Sequence, residues 1–145
     1  MVGGWRYARP MSETRKPKTS HYAAYIGVLL LGGLSGIAGT LVHRLGATQV
    51  FPYGIIIAFL LLTSSAYWAR SVVGAIGIGL HIIGSSSALW LLMGKGPGGD
   101  VLIPVWSPAF TTFVDQHAGI IWLCGSLLVQ VCLLILPSRW LGLDK

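Results

Sequence analysis

Four stretches of this chain run about as long as a bilayer is thick with almost no charge, and that constrains the fold more than any motif does. Residues 22–42, 50–69 and 118–136 contain no charged side chain, and residues 71–93 contain one ionisable group, His81. An α-helix needs about 20 residues to cross about 30 Å of hydrocarbon. Lipid offers no partner for backbone N–H and C=O groups, so each stretch must be a helix. The apolar-polar alternation of a membrane β-barrel is absent. The chain therefore reads as all-α, an integral-membrane four-helix bundle (22–136) between a basic N-terminal tail (1–21) and a short C-terminal tail (137–145).

Composition excludes the soluble alternative. Only 10% of the 145 residues are charged, against about 25% in a soluble domain. The net charge of +6 does not point to nucleic acid, because of where the cations lie. Arg6, Arg9, Arg15, Lys16 and Lys18 all precede the first apolar run, as in tails that set orientation or meet anionic lipid. The first run is longer than the apolar region of a signal peptide and no convincing A-x-A site follows it, so it reads as an uncleaved span. Met11 is an alternative start, with residues 1–10 as an extension.

Punctuation agrees with four spans. Pro52 opens the second, where its missing N–H costs nothing, and Pro137 follows the fourth. Arg70 alone separates the second and third, which implies a tight helical hairpin. Tyr67, Trp68, Trp90, Trp106, Trp122 and Trp140 fall mostly near predicted ends, as interfacial aromatics do. An even number of spans puts both termini on one side, with the five N-terminal cations, Arg70, Arg139 and Lys145; Arg44 and Lys95 fall on the other. Eight against two predicts cytoplasmic termini in a bacterial plasma membrane.

That orientation makes residues 94–117, "GKGPGGDVLIPVWSPAFTTFVDQH", a long extracytoplasmic loop between helices 3 and 4. Its glycines and Pro97 end the third helix and turn the chain. "VLIPVW" and "AFTTFV" are too apolar for water and too short and Pro-broken to span. They imply a loop lying on the headgroups or folded over the bundle mouth, with a re-entrant segment as the alternative. "GKGPGG" lacks the spacing of a phosphate-binding loop.

Helices in lipid associate through close packing at small residues. Gly32 and Gly36 supply such a row in the first span, beside Ser35 and Gly39. The third span carries Gly77, His81, Gly84 and Ala88 on one row and Ser71, Ala75 and Gly79 on another, which marks it as the central helix. The second, rich in Ile and Leu, reads as more lipid-facing.

His81 is the sharpest candidate for chemistry, since polar groups at mid-membrane are costly and often functional. With Gln130, Ser64 and Ser86 it forms a candidate polar midplane site. Its functional readings are a proton relay, a haem ligand or a ligand contact. The plainer reading is a neutral imidazole bonded to a neighbouring Ser, Thr or Gln, favoured because no acid lies at similar depth. His43 and His117 cap the outer ends of spans one and four; bis-His ligation of haem or a metal rests on spacing alone. Asp115 and His117, two apart, would point in different directions on a helix. Ser126 and Gln130 form a short polar stripe suited to interhelical hydrogen bonds. Asp100 and Lys95 suit a solvated turn. Cys124 and Cys132 lie two turns apart on one helix, about 12 Å along its axis, too far for a disulfide. No nucleophile motif, zinc signature or carboxylate pair is present, so neither catalysis nor a cofactor is expected.

The segments "YIGVLLLGGLSGIAGTLVH", "FPYGIIIAF" and "LWLLMGKGPGGDVLIP" together resemble a family of small four-span membrane proteins of unassigned function from actinobacteria, over about residues 22–136. The resemblance implies the four-span plan and brings no catalytic residues. The expectation is a non-enzymatic structural or accessory subunit in contact with the bilayer and with another membrane protein or itself, and not with nucleic acid. The rival is a small transporter or permeation unit around His81; a weaker third is a haem- or quinone-associated redox component using His43 and His117. In a variant with Cys124 and Cys132 replaced, a single cysteine at Lys95 should react with a membrane-impermeant maleimide added outside intact cells. Labelling only after lysis would reverse the assigned direction.

Overall fold

A computed structural model describes residues 19–95, 98–104 and 109–143. The cations of the N-terminal tail, Met11, Gly96, Pro97, Trp106 and Lys145 lie outside the described residues. Four helices make up the fold: α1 (Thr19–Val42), α2 (Tyr53–Val73), α3 (Ala75–Met93) and α4 (Phe113–Ile135), followed by a single 3-10 turn, Ser138–Leu141. All four are long and apolar enough to cross a membrane. Among the described residues there is no strand; an isolated antiparallel bridge joins Lys95 and Val101.

Helix limits differ from the sequence reading by three or more residues at five ends: α1 begins at Thr19, α2 runs Tyr53–Val73, α3 begins at Ala75 and α4 at Phe113. The second helix does not stop at Arg70. It continues to Val73, and the break before α3 is Gly74, with φ +69° and ψ −149°. A positive φ strains any residue with a Cβ, so the hairpin corner falls at the glycine and the arginine remains helical. The fourth helix starts at Phe113, five residues before 118. The Thr112 side chain caps it by accepting from the Asp115 amide at 3.1 Å, and Asp115 sits in the first turn, where the helix dipole favours an acid. Charge excluded these residues from the apolar count, yet capping makes them helical.

α2 and α3 each touch the other three helices, and α1 lies most extensively against α3. The third helix is the more buried of the two, and α2 leaves Ile56, Ile57, Leu60 and Leu61 exposed on its outer face. α1 meets α4 where Trp122 reaches across: its indole N–H donates to Thr40 Oγ1 at 3.1 Å. Trp122 is completely buried. It belongs to the core with Ala58, Leu62, Leu89 and Ile103, and is no interfacial anchor. Ile103 comes from the α3–α4 connector and is 1% exposed. Ile103 and the neighbouring Pro104, whose carbonyl lies against Gly119, thus pack onto the bundle end, while residues 98–102 are exposed. Thr112 Oγ1 donates to the Ala47 carbonyl at 3.0 Å, and the Arg44 guanidinium ion-pairs with Asp115 while lying 4.1 Å over the Phe110 ring.

Most other large apolar side chains point outward, among them Leu30, Leu34, Ile83, Leu91, Leu128 and Ile135. An apolar surface this extensive suits hydrocarbon and not water. Cys124 and Cys132 are free thiols on this outer surface.

Close approach of α1 to α3 depends on glycine. A Cβ on Gly32 would collide with the backbone of His81, and one on Gly84 with the Leu29 carbonyl; at Gly36 it would lie 3.1 Å from the Ser85 carbonyl oxygen. Gly77 faces α2, where a Cβ would strike the Ala69 carbonyl. Gly79 packs against nothing within 4 Å, so it is not a packing residue: it lies off the buried face formed by Gly77, His81, Gly84 and Ala88. Gly32→Ala and Gly84→Ala should each destabilise the protein by about 1–3 kcal/mol through backbone overpacking. Gly79→Ala should leave stability unchanged or raise it slightly. Thermal unfolding in a mild detergent measures all three.

Candidate functional site

His81 is drawn into the bundle by the same glycine contact. The α1 backbone at Gly32 packs on its Cα and carbonyl, and the residue has no exposed surface. Four helices converge on its ring. Nδ1 lies 2.7 Å from Gln130 Oε1 of α4. Nε2 lies 3.0 Å from Ser65 Oγ of α2 and 3.3 Å from Ser35 Oγ of α1. Ser85, one turn along α3, sits 3.1 Å from Gln130 Nε2 and 3.2 Å from its Oε1.

The network dictates where the protons are. Gln130 Nε2 donates to the Ser126 carbonyl at 3.0 Å, which turns Oε1 toward His81. An amide oxygen only accepts, so Nδ1 carries a proton. Nε2 of the neutral ring is then an acceptor and requires a serine proton. Ser65 and Ser35 can each donate instead to the carbonyl three residues back, Leu62 at 2.9 Å and Gly32 at 2.9 Å. Each hydroxyl has one proton, so one serine bonds the ring while the other bonds its own helix. Every polar atom of His81 and Gln130 thereby has a partner, as burial in a low-dielectric interior demands.

The structure thus brings His81 and Gln130 together, with Ser126 through its carbonyl, but excludes Ser64 and Ser86. Both are exposed, and Ser64 Oγ donates to Leu61 of its own helix at 3.1 Å. Their neighbours Ser65 and Ser85 take the positions instead, because one residue along a helix is a rotation of about 100°. Ser85 was legible: it is four residues from His81, on the same face. Ser65 adjoins the buried row Leu62, Ala66 and Ala69. Ser35 had no signal beyond its place in the glycine-rich row.

A second polar group lies at the connector end. His43, just beyond α1, is 1% exposed. Its Nδ1 donates to the Thr40 carbonyl at 2.6 Å, and its ring stacks on Trp122 with centroids 6.1 Å apart. Nε2 is buried and has no partner. Burial holds its pKa below the ordinary imidazole value; the Thr40 bond opposes this and the nearby Arg44 charge reinforces it. His117 lies elsewhere, bonded to the Phe113 carbonyl at 2.8 Å and stacked on the Phe113 ring. The two histidines make separate contacts, and bis-His ligation gains no geometric support. Asp115 serves Arg44 and not His117. Among the described residues no group of three or more His, Cys, Asp or Glu side chains could hold a metal.

The chain matches no family model, no curated protein and no solved structure. The arrangement at His81 resembles a polar knot joining four helices more than a substrate site, and its energetics are testable. Gln130→Leu removes the acceptor for His81 Nδ1 and should cost about 1–3 kcal/mol. A double-mutant cycle of His81→Leu with Gln130→Leu should return a coupling of about 1 kcal/mol. Ser64→Ala and Ser86→Ala should stay within about 0.5 kcal/mol of the parent.

Proposed function

We propose that this protein is a non-enzymatic structural or accessory subunit of a bacterial plasma membrane. In this reading it crosses the bilayer four times, with both termini in the cytoplasm and the α3–α4 connector outside. It presents its outward apolar faces to lipid and to another membrane protein or a second copy of itself. The observation that carries the reading is the saturation of His81: a mid-membrane imidazole with no exposed surface, whose two ring nitrogens are both engaged by neighbouring helices. A permeation unit needs a wetted path to such a group, and a redox subunit needs an accessible ligand atom. A knot that ties four helices asks for neither.

Crosslinking in native membranes, followed by purification in mild detergent at native expression, tests the proposal. The expected result is a stoichiometric membrane-protein partner or a defined homo-oligomer. Recovery of a lone monomer, together with ion or solute flux in proteoliposomes that His81→Leu abolishes without unfolding the protein, would overturn it in favour of permeation.

A further inference from the structure

His43 lies where the end of α1, α4 and the α3–α4 connector meet, apart from the His81 network. Its ring occupies a built seat. Nδ1 donates to the Thr40 carbonyl at 2.6 Å, and the ring lies nearly parallel to Trp122, at 20° between planes. Trp122 is itself fixed by its bond to Thr40 Oγ1 and by the Phe59 ring, with centroids 5.5 Å apart. Gly39 makes room for the indole, since a Cβ there would collide with it. The same indole packs with Ile103 of the connector. The residues that follow His43 fasten the connector and the start of α4. Arg44 pairs with the Asp115 carboxylate, donates to the Asp115 carbonyl at 3.2 Å and covers the Phe110 ring. The Ala47 carbonyl accepts from Thr112. Gly46, with φ +70°, turns the chain between these two fastenings. His43 and both fastenings share one short turn, so displacing the ring moves them.

This seat fits a neutral imidazole and not an imidazolium. A second proton would have to go on Nε2, which is buried. Burial penalises the charged ring most and the adjacent Arg44 charge adds to the penalty, while the Thr40 carbonyl opposes both. Trp122 compensates little, because a centroid separation of 6.1 Å is at the limit of cation–π attraction. The other charged and titratable groups of the surrounding elements are engaged elsewhere or turned away. Asp115 of α4 serves Arg44, and His117 stacks on Phe113. Tyr53, at the start of α2, lies against Gly46. Lys95, beyond the end of α3, and Asp100 of the connector are exposed. His21 begins the far end of α1, and the C-terminal turn is tied to Tyr67 at that same end of the bundle. Residues 96–97 and 105–108 contain no ionisable side chain.

We propose that His43 is an acid-sensitive latch: proton uptake at Nε2 expels the ring from its seat on Trp122 and frees the α3–α4 connector from the bundle end. An expelled ring takes up its proton near the ordinary imidazole value of about 6.5, whereas the seated ring resists it. The seated state therefore keeps its full advantage above about pH 6.5. It loses that advantage as the pH falls below, by at most about tenfold in population per pH unit for one proton. The inference goes beyond the accessory reading and does not depend on which side of the membrane the connector faces.

The test uses the full-length protein in a neutral detergent. Hydrogen exchange is read by mass spectrometry from about pH 7.5 to about pH 5.5, across the imidazole range, and corrected for the intrinsic pH dependence of amide exchange. Exchange over residues 43–47 and 109–116 should accelerate below about pH 6.5, by up to about tenfold per unit, while the α2–α3 corner around Gly74 keeps its rate. His43→Phe keeps a flat ring on Trp122 with nothing to protonate and should abolish the acceleration; His43→Gln takes its place if the phenylalanine variant does not fold. His117→Gln removes the exposed imidazole of α4 and should leave the acceleration intact. Four results would each overturn the proposal: a flat profile for the parent protein, acceleration spread evenly over all four helices, persistence of the response in a folded His43 variant, or its loss in His117→Gln.

Discussion

Backbone meets backbone where α1 crosses α3, at Gly32, Gly36 and Gly84, and the rest of the interior is arranged around that contact. In hydrocarbon the association of helices gains nothing from hiding Leu, because lipid solvates Leu equally well; what it gains is dispersion at short range and polar groups brought into reach. Removing three Cβ atoms lets α1 approach closely enough for Ser35 to come within 3.3 Å of the His81 ring. α2 and α4 then complete the set with Ser65 and Gln130. A wider separation would leave an imidazole and an amide unpaired in a medium where each missing hydrogen bond is expensive.

The charged groups divide between the two ends of the bundle and do different work there. At the connector end, Arg44 and Asp115 neutralise each other and fasten α1 to the start of α4, with Phe110 beneath the guanidinium. His43 is kept neutral in the same region by its burial against Trp122. At the corner end, Arg70 closes α4 through the Leu136 carbonyl.

The spans were legible because hydrocarbon imposes two simple demands, about 20 apolar residues and a self-satisfied backbone. Their ends were less so. Counting apolar residues placed a boundary at Arg70, but a guanidinium can curl back onto a carbonyl while its own backbone stays helical; Gly74 breaks the chain because its φ is positive. The same count excluded Asp115 from α4, although an acid in a first helical turn is favourable. At the site, depth along the helix identified His81 and Gln130 as neighbours, but depth does not specify rotation. Ser64 and Ser65 differ little in depth and by about 100° in direction, and only the packed neighbours of α2 select between them.

By itself the sequence determined the number of apolar helices and the order of the polar residues along each, since these follow from chain-local hydrophobicity and the 1.5 Å rise of an α-helix. Tertiary structure alone decided which faces meet. It set Ser65 on the ring of His81 and Ser85 on Gln130, packed Trp122 with Ile103 of the connector, and turned the Arg70 guanidinium onto the Leu136 carbonyl. These are contacts between residues far apart in the chain, fixed by how four helices rotate and approach one another, and a pattern read along one helix carries no information about the angle from which another arrives.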